Sequence, residues 1–185
     1  MGRTLIFVIL IGIMASTLYF LREEISHSVK PWLGEWAFLE KKKQVILYFS
    51  DREGAYLIGE KRTISKKEDM KEEAKEMIIE LIKGPRGKLI PTLPPHTKLL
   101  TLHVSKEGVA KINFNKSLSK DHPGGSSAEM MTVYSIVNSL ALNFPQIKQV
   151  QILIEGRGVE TISGHLSLRQ PLRPNPNLIR RQELI

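Results

Sequence analysis

GVAKINFNKSLSKDHPGGSSAEMMTVYSIVNSLALNFPQIKQVQILI, residues 108–154, sets the reading of the fold. Ala110, Ile112 and Phe114 alternate with polar neighbours, the two-residue period of a half-buried strand. Beyond the loop of residues 120–125, Ser126 stands three residues before Glu129, the spacing of a capping box. Met130, Val133, Tyr134, Val137, Leu140 and Ala141 then recur at steps of three and four until Pro145, which predicts an amphipathic helix. Val150, Ile152 and Ile154 restore the strand period, and residues 159–162 could return as a short strand.

Working outward, Leu100, Leu102 and Val104 form a strand that turns at Gly108 into the one just described. Pro91, Pro94 and Pro95 hold an extended turn before it. Ser65 and Glu68 repeat the capping-box spacing ahead of Met70, Ala74, Met77, Ile78, Leu81 and Ile82, and Gly84-Pro85 stops that helix. Residues 44–49 read as a β-rich run, paired with a second, broken strand over 56–58 and 62–64. The order β, β, α, β, β, α, β predicts an α+β domain, two helices packed on one face of a mostly antiparallel sheet.

The chain has 185 residues, 42% apolar and 25% charged, so it holds one domain with extensions and is neither disordered nor fibrous. It has no cysteine, which excludes disulfides, thiolate metal sites, cysteine nucleophiles and lipid attachment through a thiol. The net charge of +8 is spread over the whole length and lacks interleaved aromatics, so nucleic acid is not an expected partner.

Residues 4–21 run without a charge and would cover about 27 Å as a helix, close to a bilayer core. The expectation is a retained transmembrane anchor over residues 1–21, making the cytoplasmic membrane a partner. No A-x-A cleavage site follows the apolar run, as a removed signal would require. Residues 22–43 form a juxtamembrane linker in which Trp32 and Trp36 sit four apart, as in an interfacial helix. The domain is expected over 44–172, and the proline-containing tail 173–185 is expected to be flexible.

Chemistry is sparse. The Gly-rich run His122 to Ser127 opens a helix, where free amides favour anions, but it lacks the Gly-Lys-Ser/Thr of a P-loop and Glu129 competes for those amides. His27, His96, His103, His122 and His165 are isolated, with no pair at metal-ligand spacing. Asp51 and Glu53 lie by a turn, where Asp bonds locally. No set of residues specifies a nucleophile, a base and an orienting group, so no catalytic, cofactor-binding or metal residue is assigned and no cofactor is expected.

LYFSD (47–51), ELIKGP (80–85), PTLPPHTKLL (91–100), GVAKINFNKSL (108–118), HPGGSSAEMMTVYSIVNSL (122–140) and VQILIEGRGVETISGHLSLRQPL (150–172) together resemble the GerM domain of sporulation and spore-germination proteins. The resemblance covers residues 44–172 as a single copy. It implies a fold similar to ring-building motifs, display on the extracytoplasmic side of the membrane, no enzymatic activity, and assembly with envelope proteins or with itself. The spanning segment would take the place of a lipid, since no cysteine is present to acylate. The rival reading is a small-molecule or cell-wall-glycan binding domain, or an unrecognised hydrolase, using the loops of residues 121–127 and 155–158.

Overall fold

Two strands, β1 (Lys42–Ser50) and β2 (Leu57–Ser65), pair antiparallel from Lys42 opposite Ser65 to Ser50 opposite Leu57. In the computed structural model, which describes residues 41–180 together with Met14, Ser16, Thr17 and Tyr19, these two strands form a sheet of their own. The second strand is continuous where the sequence predicts a break. Gly59 makes this possible: a Cβ there would stand 2.8 Å from Ile46 Cγ2, so only glycine lets the Ile46 and Tyr48 side chains lie across that position.

The chain then forms α1 (Met70–Ile82), β3 (Leu99–Val104), β4 (Val109–Phe114), a one-turn helix α2 (Ser117–Lys120), α3 (Ser126–Asn143), β5 (Gln149–Ile154) and a two-residue β6 (Arg157–Gly158). The second sheet has the order β3-β4-β5-β6. Its central pair is parallel, Val109 opposite Gln149 through Phe114 opposite Ile154, while β3 and β6 join antiparallel. The class α+β holds, but the predicted single sheet is two sheets, and the larger one is mixed. The 34 residues between β4 and β5 carry α2 and α3 back along the sheet, and a crossover of that kind returns the chain parallel.

Helix boundaries also shift for a physical reason. The cap of α1 is Asp69, whose Oδ1 accepts the Lys71 N–H at 2.8 Å, because Ser65 is still in β2 and gives its N–H to Glu76 Oε1 at 2.9 Å. At the other end of α1 no basic residue lies in its last turn; Arg62 of β2, 3% exposed, supplies the charge instead, bonding the Gly84 carbonyl at 2.8 Å and pairing with Glu60 and Glu80. Gly84 ends the helix at φ +84°, as its sequence position predicts.

The core runs between α1, α3 and both sheets and includes Leu47, Phe49, Met77, Ile78, Leu81, Ile112, Phe114, Ile136, Val137, Leu140 and Phe144. The outer edge of β1 meets α3 rather than another strand. Asn143 accepts the Ile46 N–H (2.8 Å) and donates to the Ile46 carbonyl (2.7 Å); Ser139 accepts the Tyr48 N–H (3.1 Å); Ser135 donates to the Tyr48 carbonyl (2.6 Å). Ser50 closes the edge with two backbone bonds to Ile90.

Among the described residues no helix is long and apolar enough to cross a membrane. The expected anchor lies outside the described residues except for the four named above, which are helical, and so does the Trp32/Trp36 segment. Residues 1–40 and 41–185 form separate units, and the second begins its sheet at Lys42, two residues before the expected domain start. Leu172, the last residue of the expected domain, bridges Val150, and the tail expected to be flexible makes defined contacts through Arg180: residues Pro176–Leu178 form a 3-10 turn and Ile179 bridges Leu57.

Leu140→Ala, at a fully buried position, is expected to cost about 2–5 kcal/mol in chemical denaturation through lost burial and cavity formation. Ser139→Ala removes little volume but strands the buried Tyr48 N–H, and about 1–3 kcal/mol is expected in the same measurement.

Candidate functional site

Asp51 follows β1 where the backbone must reverse. Its Oδ1 accepts the N–H groups of Ala55 (2.9 Å) and Tyr56 (3.2 Å), the local bonding for which aspartate is favoured in turns. The side chain is nearly buried. Oδ2 faces Arg180 Nη2 at 3.0 Å in an ion pair and accepts no hydrogen bond.

Beside this turn, Ile90 is pinned to Ser50, and Pro91, Pro94 and Pro95 stiffen the segment that follows. Thr92 fastens that segment to α3: its hydroxyl meets Ser135 Oγ at 2.6 Å and its carbonyl accepts from Thr132 Oγ1. The α2–α3 connection and the first turns of α3 supply the third wall. Gly124 and Gly125 (φ +82° and +87°) turn the chain sharply into the helix, which leaves Pro123, Ser127, Ala128 and Met131 facing the same space. The three connections enclose a cleft of about 570 Å³, with Ile90, Leu93, the prolines and Met131 as its apolar lining, Asp51, Glu53 and Asp121 as its carboxylates and Arg52 as its cation.

His122 and Thr132 stand in hydrogen-bond contact at 3.1 Å (Nε2 to Oγ1), and Thr132 lines the cleft. Nδ1 of His122 accepts the Gly124 N–H at 3.0 Å, which places the ring proton on Nε2, and Thr132 gives its own proton to the Thr92 carbonyl. The polarity is opposite to that of a base activating a nucleophile. Burial lowers the proton affinity of His122 below the ordinary 6.5, against the opposing charge of Glu129 and a backbone bond at Ala128.

Glu129, expected as the capping partner of Ser126, turns inward instead. It is wholly buried, and its carboxylate accepts the N–H groups of Ile162 (2.7 Å), Ser163 (2.9 Å) and His165 (2.8 Å), fastening the loop after β6 to α3. Burial alone would raise its pKa, but these backbone donors outweigh it and hold the group below 4.5. The helix start is capped by Gly125 with no side-chain bond.

Of the two loops read from the sequence as candidate binding elements, the structure brings residues 121–127 to the cleft and leaves 155–158 elsewhere. Glu155 bonds the Lys116 N–H at 2.8 Å, and Gly158 lines a separate, smaller cavity of about 300 Å³ with Gln151 and Glu160. His96, His103 and His165 are exposed, and His27 lies outside the described residues. Among the described residues no three His, Cys, Asp or Glu side chains stand close enough to share a metal ion. Sequence reasoning missed Ser135, Asn138, Ser139 and Asn143. For Ser135, Ser139 and Asn143 the signal is their four-residue spacing inside an otherwise apolar helix, a pattern that Asn138 does not share.

The arrangement defines an α+β domain in which a helix-closed hairpin and a mixed sheet present three converging connections around a cleft. Its sequence matches the family Germane, sporulation and spore germination, over residues 46–160, and the chain belongs to that family. The tandem GerMN domains of the sporulation protein GerM from Bacillus subtilis share the fold at a TM-score of 0.55 and 19% identity, over 72% of this chain and 46% of that one. The first of those domains alone gives 0.57 and 21%, over 71% and 97%. A protein of Clostridium perfringens described as a candidate lipoprotein gives 0.52 and 26%, over 77% and 95%. Comparison with curated proteins gave no match.

His122 and Glu129, the two shifted groups of this region, shape the acid limb of stability. Below about 6.5 the unfolded chain takes up the proton that folded His122 resists, so stability falls as pH drops. Glu129 contributes fully above 4.5 and loses its contribution as pH falls through its lower folded value. Glu129→Gln is expected to cost about 1–3 kcal/mol at pH 7 and to flatten the limb below 4.5 by its share in urea titrations. Glu60, Glu73 and Glu80, also held low, keep the remainder.

Proposed function

We propose that this domain is a non-enzymatic docking module of the bacterial cell envelope, held at the extracytoplasmic face of the membrane by its N-terminal segment. One observation carries the reading: the cleft is a preformed, proline-stiffened apolar recess whose buried polar groups are already committed to the fold. The hydroxyl of Thr132 is bonded to a carbonyl, the ring of His122 is bonded at both nitrogens, and Asp51 is paired with Arg180. Such a recess suits the side chains of a protein partner, with Asp121 offering a charge at the rim. The family and the candidate-lipoprotein relative support the membrane-facing location. Self-association in the manner of ring-building domains is the form of assembly that the GerM resemblance favours.

A second reading, binding of a small molecule or cell-wall glycan, is favoured by the cleft volume of about 570 Å³, which falls within the range of ligand pockets.

A photo-crosslinking residue at Ser127, exposed on the cleft wall, is expected to capture an identifiable envelope protein or a second copy in native membranes, and Ala128→Trp is expected to abolish that capture with the fold intact. Absence of capture, together with glycan-fragment perturbation of the amide signals of Ser127 and Ala128, would replace this reading with the second. Protease added to spheroplasts is expected to digest the domain, and protection of residues 41–180 would overturn the orientation.

A further inference from the structure

The segment Pro174 to Arg180 lies in a groove that has the parts of a peptide-binding site. Asn138, fully buried in the middle of α3, accepts the Asn175 N–H at 2.8 Å and donates to the Asn175 carbonyl at 3.0 Å. One side-chain amide thus satisfies both backbone groups of one residue, as a neighbouring strand would. Leu178 and Ile179 pack on a satellite cluster of Tyr48, Leu57 and Met131, separate from the main core. Ile179 pairs in parallel with Leu57, whose carbonyl accepts the Arg180 N–H at 3.0 Å. Arg180 finishes the contact, with Nη2 3.0 Å from Asp51 and its guanidinium 4.7 Å from the Tyr56 ring centroid.

A backbone clamp, a strand-edge bridge, an apolar cluster and a nearly buried carboxylate awaiting a cation recur in sites that bind extended peptides. None of these contacts depends on the segment belonging to the same chain. Only Arg173 and Pro174 separate the Leu172–Val150 bridge from the Asn138 clamp, and Pro174 biases Arg173 toward an extended conformation. A short, stiff hinge of that kind favours exchange of a terminal segment between copies.

We propose that the groove is a self-recognition site, filled here in cis by residues 174–180, and that two copies associate by placing this segment in each other's grooves. A second copy is the occupant because it carries a segment matched to every feature of the groove, including the cation for Asp51 and the apolar pair for Leu57 and Met131. The cis form prevails in dilute solution, where the tether gives the attached segment a high effective concentration, and exchange grows as copies are concentrated. The groove shares Asp51 and Met131 with the cleft but holds the segment through Asn138 and Leu57, so a 57–179 disulfide reports on it separately from a crosslink at Ser127.

The chain has no cysteine of its own, which gives a direct test on the full-length protein. Leu57→Cys and Ile179→Cys are made in separate chains, mixed at high concentration and oxidised. The expected result is a mixed 57–179 disulfide dimer about tenfold more abundant than either same-site dimer, reduced to the same-site level when the 57 chain also carries Asp51→Arg. Asp51→Arg in that chain with Arg180→Glu in the other is expected to restore it. Mixed dimers no more frequent than same-site dimers would overturn the proposal. So would saturable binding of a synthetic peptide of residues 173–180 to the Ile179→Cys chain without mixed dimers, since the groove would then serve other segments and not exchange.

Discussion

A strand edge closed by a helix is the constraint on which the remaining structure depends. The outward N–H and carbonyl groups of β1 are left without a strand partner, and burying them unpaired would cost roughly 1–3 kcal/mol each. Ser135, Ser139 and Asn143 take that role from α3. Four residues of helix advance about 6.0 Å and two residues of strand about 6.6–6.8 Å, so a polar stripe at every fourth helical position stays nearly in step with every second strand residue over a short run. The match fixes the position of α3 along β1 as well as its orientation.

Polar residues of α3 also hold three further segments once that position is fixed. Glu129 gathers the amides after β6, Thr132 and Ser135 hold the proline segment, and Asn138 clamps the C-terminal strap. This is why the helix is buried on nearly every side although it carries so many polar groups. Its apolar residues provide the burial energy, and its polar residues determine which connection lies where. The cleft follows from this: it is the space left where the β1–β2 turn, the proline segment and the α2–α3 connection are each drawn to the same end of one helix.

The same economy bears on function. Groups that would be reactive if free, the imidazole of His122 and the hydroxyl of Thr132, are consumed in holding the walls, and their protonation states are set by those bonds. What the cleft leaves exposed is apolar surface and the charges of Arg52, Glu53 and Asp121. The membership of the Germane family agrees with a domain whose relatives are described through sporulation.

Elements whose cause is local were legible in the sequence. The alternation in β4 and β5, the apolar steps of both long helices, the stop at Gly84 and the class α+β all follow from periodicity and chain stiffness, and the six motif blocks carried the family, whereas in β3 a bulge between Leu99 and Thr101 leaves Leu100 exposed and breaks the expected alternation. Features that depend on distant partners emerge with the packed chain alone. That β2 runs unbroken rests on the Ile46 and Tyr48 side chains crossing Gly59; that Glu129 anchors a loop instead of capping its own helix rests on amides 33 to 36 residues away. The ordering of the tail rests on Asn138 and Asp51, polar residues whose spacing carries no record of what they will bind. A local pattern reports which face a residue occupies, whereas the identity of its hydrogen-bond partner is settled by the packing of the whole chain.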